Sequence, residues 1–248
     1  MENKKWTKKY LLIIWLITLV VVVVAIFGHT YSFFKFSWFG TKVNLGDAKE
    51  QAYDFSNETV EEIVIDMNAA DINITSGNAL SVSTTFPEKC QPTVKVEKGK
   101  LIIDQTKKVS HVNNLYDDSR VDIVIPKDAV DNIVMDVHAG DIDIQGIKVT
   151  VLDMEVNAGD IDINDLSGDS IEIEANAGDI NVDANVKAIE VNANAGDIDI
   201  AGKYNEIQCN CSAGDIVINA PETSDNNIEA DCSFGSVKVN GKHWEKPF

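Results

Sequence analysis

Eight residues, Val-Asn-Ala-Gly-Asp-Ile-Asp-Ile at 156–163, recur along this chain at a nearly constant interval. Close copies occupy 137–144, 175–182, 193–200 and 211–218, and a degenerate sixth, Cys-Ser-Phe-Gly-Ser-Val-Lys-Val, occupies 232–239. The residue after the glycine is Asp141, Asp160, Asp179, Asp197 and Asp215, with Ser236 in the sixth copy, so the steps are 19, 19, 18, 18 and 21 residues. An earlier relative, Met-Asn-Ala-Ala-Asp-Ile-Asn-Ile, ends at Ile74. A period of this length is the mark of a repeat architecture, in which each unit covers the apolar side of its neighbour.

The side-chain phase narrows the choice. Before each corner the apolar residues alternate, as in Leu152, Met154 and Val156 or Ile171, Ile173 and Ala175. After it they alternate again, as in Ile161 and Ile163 or Ile180 and Val182. Period two means strands with one buried face. Counting by twos from Val156 lands on Asp160 rather than Ile161, so the chain must turn at Ala-Gly, where glycine supplies the backbone freedom of a tight corner. An antiparallel meander and a β-solenoid both satisfy this phase. The meander would leave its apolar face bare, because no helical segment supplies a second layer. The reading is therefore all-β: a parallel β-solenoid with Val137, Val156, Ala175, Ala193, Cys211 and Cys232 in one inward column, and His138, Asn157, Asn176, Asn194, Ser212 and Ser233 in a corner column. In-register stacking at ~4.8 Å would let the asparagines hydrogen-bond along the ladder.

The amino-terminal region has a different character. Lys4, Lys5, Lys8 and Lys9 precede an uncharged apolar run from Tyr10 to Phe27. At ~1.5 Å per residue that run reaches ~27 Å, close to a bilayer core. The lysines place the amino terminus in the cytoplasm and the remainder outside, and no clean small-residue cleavage site follows. The expected organisation is a cytosolic stub (1–9), a transmembrane signal anchor after one crossing (10–30), a juxtamembrane linker (31–55), an irregular β entry or cap section (56–130), the solenoid repeats (131–240) and a tail (241–248). Four lysines and one glutamate give +3 over residues 1–34, which leaves −22 for 35–248 out of −19 overall. That sign excludes nucleic acid as a partner. The expected partners are the lipid bilayer through residues 10–30 and an envelope polymer or membrane protein outside the cell.

The Ala-Gly-Asp-Ile-Asp-Ile copies, with Val-Asp-Ile-Val-Ile-Pro at 121–126 and the entry strand Ile-Val-Ile-Asp-Met-Asn-Ala-Ala-Asp-Ile-Asn-Ile, resemble a bacterial β-strand-repeat family. Its members are called "putative adhesin" or domain of unknown function, and include LiaG-like proteins of Gram-positive envelope-stress operons and Toastrack domains. The resemblance spans about residues 61–241 and implies a right-handed β-helix-like stack on the outer face of a membrane. It carries over no catalytic residue. This chain departs from the pattern at Ala70, where later copies have glycine, and at Phe234-Gly235-Ser236.

Candidate chemistry is sparse. The pairs Asp141/Asp143, Asp160/Asp162 and Asp197/Asp199 have the residue types of a glycosidase acid and base. A catalytic site departs from its repeat, however, whereas these aspartates constitute it, so they read as turn formers and a solvated face. No catalytic residue and no cofactor are assigned. Asp160, Asp179 and Asp197 are the positions where Ca²⁺ could relieve stacked carboxylates, although the Gly-Gly-x-Gly-x-Asp signature of calcium β-rolls is absent. Cys90, Cys209, Cys211 and Cys232 form no Cys-x-x-Cys pair, and the last three take inward positions as small hydrophobes or, for Cys211 and Cys232, as ladder neighbours able to bridge. His29, His111, His138 and His243 are scattered. The expected function is a non-enzymatic binding or scaffold module of the cell envelope. The competing readings are a polysaccharide hydrolase or lyase and a Ca²⁺-dependent adhesin.

Overall fold

The computed structural model describes residues 46–105, 119–127, 130–220 and 227–243. The predicted membrane anchor at 10–30 and the end of the tail lie outside the described residues. Among the described residues no helix is long and apolar enough to cross a membrane.

Two sheets face one another, and each coil of chain gives one strand to each. The front sheet contains, in coil order, β2 (Glu62–Met67), β8 (Asn132–Val137), β10 (Val151–Val156), β12 (Ser170–Ala175), β14 (Ala188–Ala195), β16 (Glu206–Ala213) and β18 (Asn227–Phe234). The back sheet contains β3 (Asp71–Gly77), β9 (Ile142–Gln145), β11 (Ile161–Ser167), β13 (Ile180–Asn185), β15 (Ile198–Lys203), β17 (Ile216–Asn219) and β19 (Val237–Val239). Neighbours are parallel and in register: Val137 pairs with Val156, Val156 with Ala175, Ala175 with Ala193, Ala193 with Cys211 and Cys211 with Cys232. The inward column derived from the repeat is thus the observed one, and the fold is a parallel β-solenoid.

Alternation explains why this closes. Odd positions of each front strand point out and even positions point in, so Ile171, Ile173, Ile180 and Val182 of one coil meet Ile189, Val191, Ile198 and Ile200 of the next, all at 3 % exposure or less. Each fully buried Ile or Val is worth ~1.5–3 kcal/mol before chain entropy is subtracted. The return corner, from back sheet to front sheet, has no fixed motif. It buries one or two apolar residues per coil, such as Ile147 and Val149, Leu166, Ala184 and Val186, or Tyr204, and at Gly168 and Gly202 it leaves no room for a Cβ. Lys187 and Asp169 pair across it at 2.8 Å.

Residues 56–130 hold regular coils as well as cap strands. The chain lays down β2 and β3, then leaves through β4 (Ser81–Pro87), a single 3₁₀ turn (Glu88–Cys90) and β5 (Thr93–Glu97) before doubling back. The next two strands, β6 (Lys100–Asp104) and β7 (Arg120–Pro126), stack in parallel on the outer side of β2 and β3. The coil nearest the amino-terminal end of the rod is therefore made of later sequence than the coil above it. Antiparallel strands then seal that end. β4 covers β7, β1 (Ala48–Asp54) covers β4, and β5 covers β6 through a Lys98-Gly99 turn with positive φ at both residues. Strand β1 falls within the stretch expected from sequence to be a linker, and Phe86, Leu80 and Cys90 fill the core beneath the cap. At the other end β20 (Lys242–His243) folds back on β19 through Asn240-Gly241.

Because neighbouring coils share one core, damage in one rung must spread. Ile180→Asp places a charge at a site of 0 % exposure and should cost about 4 kcal/mol or more, with loss of strand signal from several coils together. Circular dichroism melting checks it, and a melting curve like that of the parent chain would count against a shared core.

Candidate functional site

The repeated corner from front to back sheet is where sequence and geometry meet most closely. Gly140, Gly159, Gly178, Gly196 and Gly214 have φ between 132° and 145°. A Cβ on any of them would fall 1.9–2.0 Å from the carbonyl oxygen of the residue one coil earlier. For Gly140 that residue is Ala70, and for each later glycine it is the preceding glycine. The corners are packed backbone on backbone, and only a residue without Cβ fits. Ala70 departs from the pattern without conflict because it sits on no such corner below: the coil beneath it passes through Gln105 and Ser119 instead.

The aspartate after each glycine ties its corner to the next. The Asp160 N–H donates to Asp141 Oδ1 at 3.0 Å, Asp179 to Asp160 at 2.8 Å, Asp197 to Asp179 at 2.8 Å and Asp215 to Asp197 at 2.8 Å. At the last corner Ser236 donates to Asp215 Oδ1 from both its N–H and its Oγ, which holds that carboxyl below the ordinary range. Asp160, Asp179 and Asp197, the calcium candidates, thus each use one oxygen on a main-chain amide. Among the described residues no group of three or more His, Cys, Asp or Glu has the arrangement of a metal cage. The asparagine ladder also forms: Asn176 Nδ2 donates to Asn157 Oδ1 and Asn194 Nδ2 to Asn176 Oδ1, both at 2.6 Å.

The second members of the aspartate pairs stand apart from the first. Asp143, Asp162 and Asp199 point outward from the back sheet, in register with one another and with Asn181. Asn181 Nδ2 donates to Asp162 Oδ1 at 3.0 Å. His138 Nδ1 lies 3.6 Å from Asp136, and His243 is exposed in β20. His29 and His111 lie outside the described residues. Cys209 and Cys211 are buried and Cys232 half-buried, all as thiols. Burial first, then the neighbouring Cys211 and Cys232, pushes the Cys209 thiol up to about 12. Cys211 and Cys232 donate to the Gly196 and Gly214 carbonyl oxygens at 3.6 and 2.9 Å.

A polar groove of about 470 Å³ runs along this corner over several coils. One wall is the outward column Glu155, Glu174, Asn192, Asn210 and Asp231, and the other is the corner column Asn176, Asn194, Ser212 and Ser233. Each coil therefore contributes the same two positions, a carboxylate or carboxamide and a corner amide or hydroxyl. Sequence reasoning identified the corner column but neither the outward column nor the groove, because nothing in the outward positions' mixed Glu, Asn and Asp marks them as facing the corner. Beside the groove Asp153, Glu172 and Glu190 form a second outward column. Partial burial, then Asp153, Glu190 and Glu174, raises the Glu172 carboxyl above the ordinary range.

Two expectations follow from the corner and one from the face. Gly159→Ala should cost about 3 kcal/mol or more, whereas Ala70→Gly should be nearly neutral; urea midpoints compare them. Asp179→Ala should lose about 1–2 kcal/mol with its charged hydrogen bond, and Asp179→Asn, which keeps an acceptor, should recover most of it. Glu172 has a raised folded-state pKa, so its charge opposes folding at neutral pH and that penalty disappears as pH falls through the raised value. Glu172→Gln should accordingly melt higher than the parent at neutral pH, with the gap closing in acid and in high salt.

The family model described as Toastrack DUF4097 matches residues 60–245. No curated protein matches the chain. Among solved structures, a "putative adhesin" from Bacteroides fragilis is 17 % identical with a TM-score of 0.47, over 78 % of this chain and 97 % of that one. A "putative cell adhesion protein" from Clostridium sporogenes is 12 % identical with a TM-score of 0.42, over 78 % and 99 %. A "putative lipid binding protein" from Parabacteroides distasonis is 17 % identical with a TM-score of 0.39, over 78 % and 97 %.

Proposed function

The chain belongs to the Toastrack DUF4097 family, and from that premise we propose that it is a non-enzymatic binding and scaffold module of the bacterial cell envelope. Residues 10–30 anchor it in the cytoplasmic membrane with the rod outside. The rod presents its corner groove to an extended, hydroxyl-rich polymer or to the exposed segment of a membrane protein. The observation that carries this reading is the groove itself, about 470 Å³ between the Glu174–Asn192–Asn210–Asp231 column and the corner amides. Carboxamides, carboxylates and hydroxyls spaced by one coil, ~4.8 Å apart, offer donors and acceptors in a line rather than at a point. A line of equivalent contacts suits a repeating ligand and gains from multiplicity.

The same repetition supports the absence of turnover. Acid–base catalysis needs two carboxyls with opposed environments at one place. Here the aspartates at the corner are equivalent from coil to coil, and each spends an oxygen on structure.

The full chain, purified in detergent, should retain specific glycans on an array or specific membrane proteins in crosslinking from native membranes. The double variant Asn192→Ala/Asn210→Ala should weaken that retention about tenfold or more. A reducing-sugar assay on the same glycans should show no release. Sugar release would overturn the non-enzymatic reading, and retention unchanged by the double variant would remove the groove from it.

A further inference from the structure

Each of the two sheets has two ends, and three of the four ends are closed in the same manner. At the amino-terminal end β4 and β1 close the back sheet and β5 closes the front sheet; at the carboxyl-terminal end β20 closes the back sheet. All are antiparallel additions to a parallel stack. The fourth end, the front sheet at its carboxyl-terminal side, stops on β18, and no described strand lies beyond it.

The consequences are visible in burial. Ile207 and Cys211 of β16 are 0 % and 5 % exposed, whereas their partners in β18, Ile228 and Cys232, are only half-buried. Phe234 is 80 % exposed, the one exposed large hydrophobic residue among the described residues, but it stands in a corner column whose earlier members, Ala195 and Ala213, are exposed too, so its exposure follows from the corner and not from the open edge. The Asn227 N–H donates back to the Asn205 carbonyl. In a parallel ladder both main-chain groups of a residue face the same side and successive residues alternate. Ile228, Ala230 and Cys232 therefore turn their N–H and C=O groups toward the open side. A long edge of this kind, with apolar side chains behind it, is a template for another strand.

We propose that β18 is a docking edge for an extended segment of a partner protein, apolar at every second residue and basic in between. The apolar residues of that segment complete the core over Ile228 and Cys232. The basic ones lie beside Glu229 and Asp231, which point outward from β18. The molecule carries its own precedent: β5, which closes the other end of this sheet, has Val94 and Val96 packed on the core and Lys95 exposed between them. Charge disfavours a second copy of this chain in the same place. Two β18 strands paired about a twofold axis through Ala230 would set Glu229 against Asp231 twice, and like charges directly opposite are destabilising.

The probe is a short synthetic peptide alternating valine and lysine, labelled for fluorescence anisotropy and titrated with the full chain. Binding that weakens with salt, and none of an alternating valine–glutamate peptide, is the expected result. Ala230→Pro removes an N–H that faces the open side, a position where an edge tolerates proline, and should weaken binding about tenfold or more with melting unchanged. Should that variant fold poorly, Glu229→Lys/Asp231→Lys leaves the edge intact and should transfer preference to the valine–glutamate peptide. Failure of the valine–lysine peptide to bind the parent chain, or equal binding to Ala230→Pro, would overturn the proposal. So would two other outcomes: a concentration-dependent dimer in sedimentation that Ala230→Pro abolishes, which assigns the edge to a second copy, or peptide binding that emerges only after deletion of residues 244–248, which assigns it to the chain itself.

Discussion

The glycine corner sets the spacing of the rod. Each corner glycine, Gly140, Gly159, Gly178, Gly196 and Gly214, rests directly on a carbonyl one coil below, with no room for a methyl group. Successive coils can therefore approach to main-chain distance at that corner, which is what brings the strands of both sheets within hydrogen-bonding reach. The aspartate that follows adds a strap from side chain to amide across the same gap. These two contacts recur in each coil from Gly140 to Gly214, so the sequence that makes them is written again for each of those coils. The repeat is the imprint of a translational contact rather than of a repeated chemical task.

Much of this was legible before any coordinates. Period-two alternation and the slip at Ala-Gly define the strands, the corner and the inward column, and the columns inferred from aligned copies are those of the register. The asparagine ladder was legible for the same reason. What lay hidden was of three kinds. The coil of β6 and β7 has no Asn-Ala-Gly-Asp corner, since its strands are joined through residues 105–119; with no motif there was nothing to align. The return corner buries apolar residues at positions that shift from coil to coil, as at Leu166, Val186 and Tyr204, and needs a glycine in only some coils, as at Gly168 and Gly202, so it leaves no repeated signature. The corner aspartates, read as turn formers on a solvated face whose stacked charges a cation could relieve, are also acceptors for one another's amides, a main-chain role that composition does not reveal.

The carboxylates thus fall into two populations. Those of the corner are stabilised by amide donors, as the lowered Asp215 carboxyl reflects. Those of the front face, Asp153, Glu172 and Glu190, take no main-chain donor among the described residues, Glu190 accepting only from the Asn192 side chain, and burial followed by the neighbouring carboxylates raises the Glu172 carboxyl. The first population belongs to stability, and the second lies on the outward side of the front sheet. The groove lies on the boundary between them, lined by corner amides on one side and outward Glu174 and Asp231 on the other. The asparagines of the groove are held by the ladder, Asn194 to Asn176 and Asn210 to Asn192, which lowers the cost of ordering them around a ligand.

The doubling back at the amino-terminal end bears on assembly. A polypeptide delivered amino end first completes β2 and β3 with their underside bare, and covers it only when residue 126 has emerged. From residue 130 onward every coil is laid on a finished one, in a single direction. The base is a closed knot of long-range contacts that tolerates no omission, whereas the shaft grows by accretion. Gain or loss of a whole unit in the shaft changes the reach of the molecule from its base and leaves that base untouched.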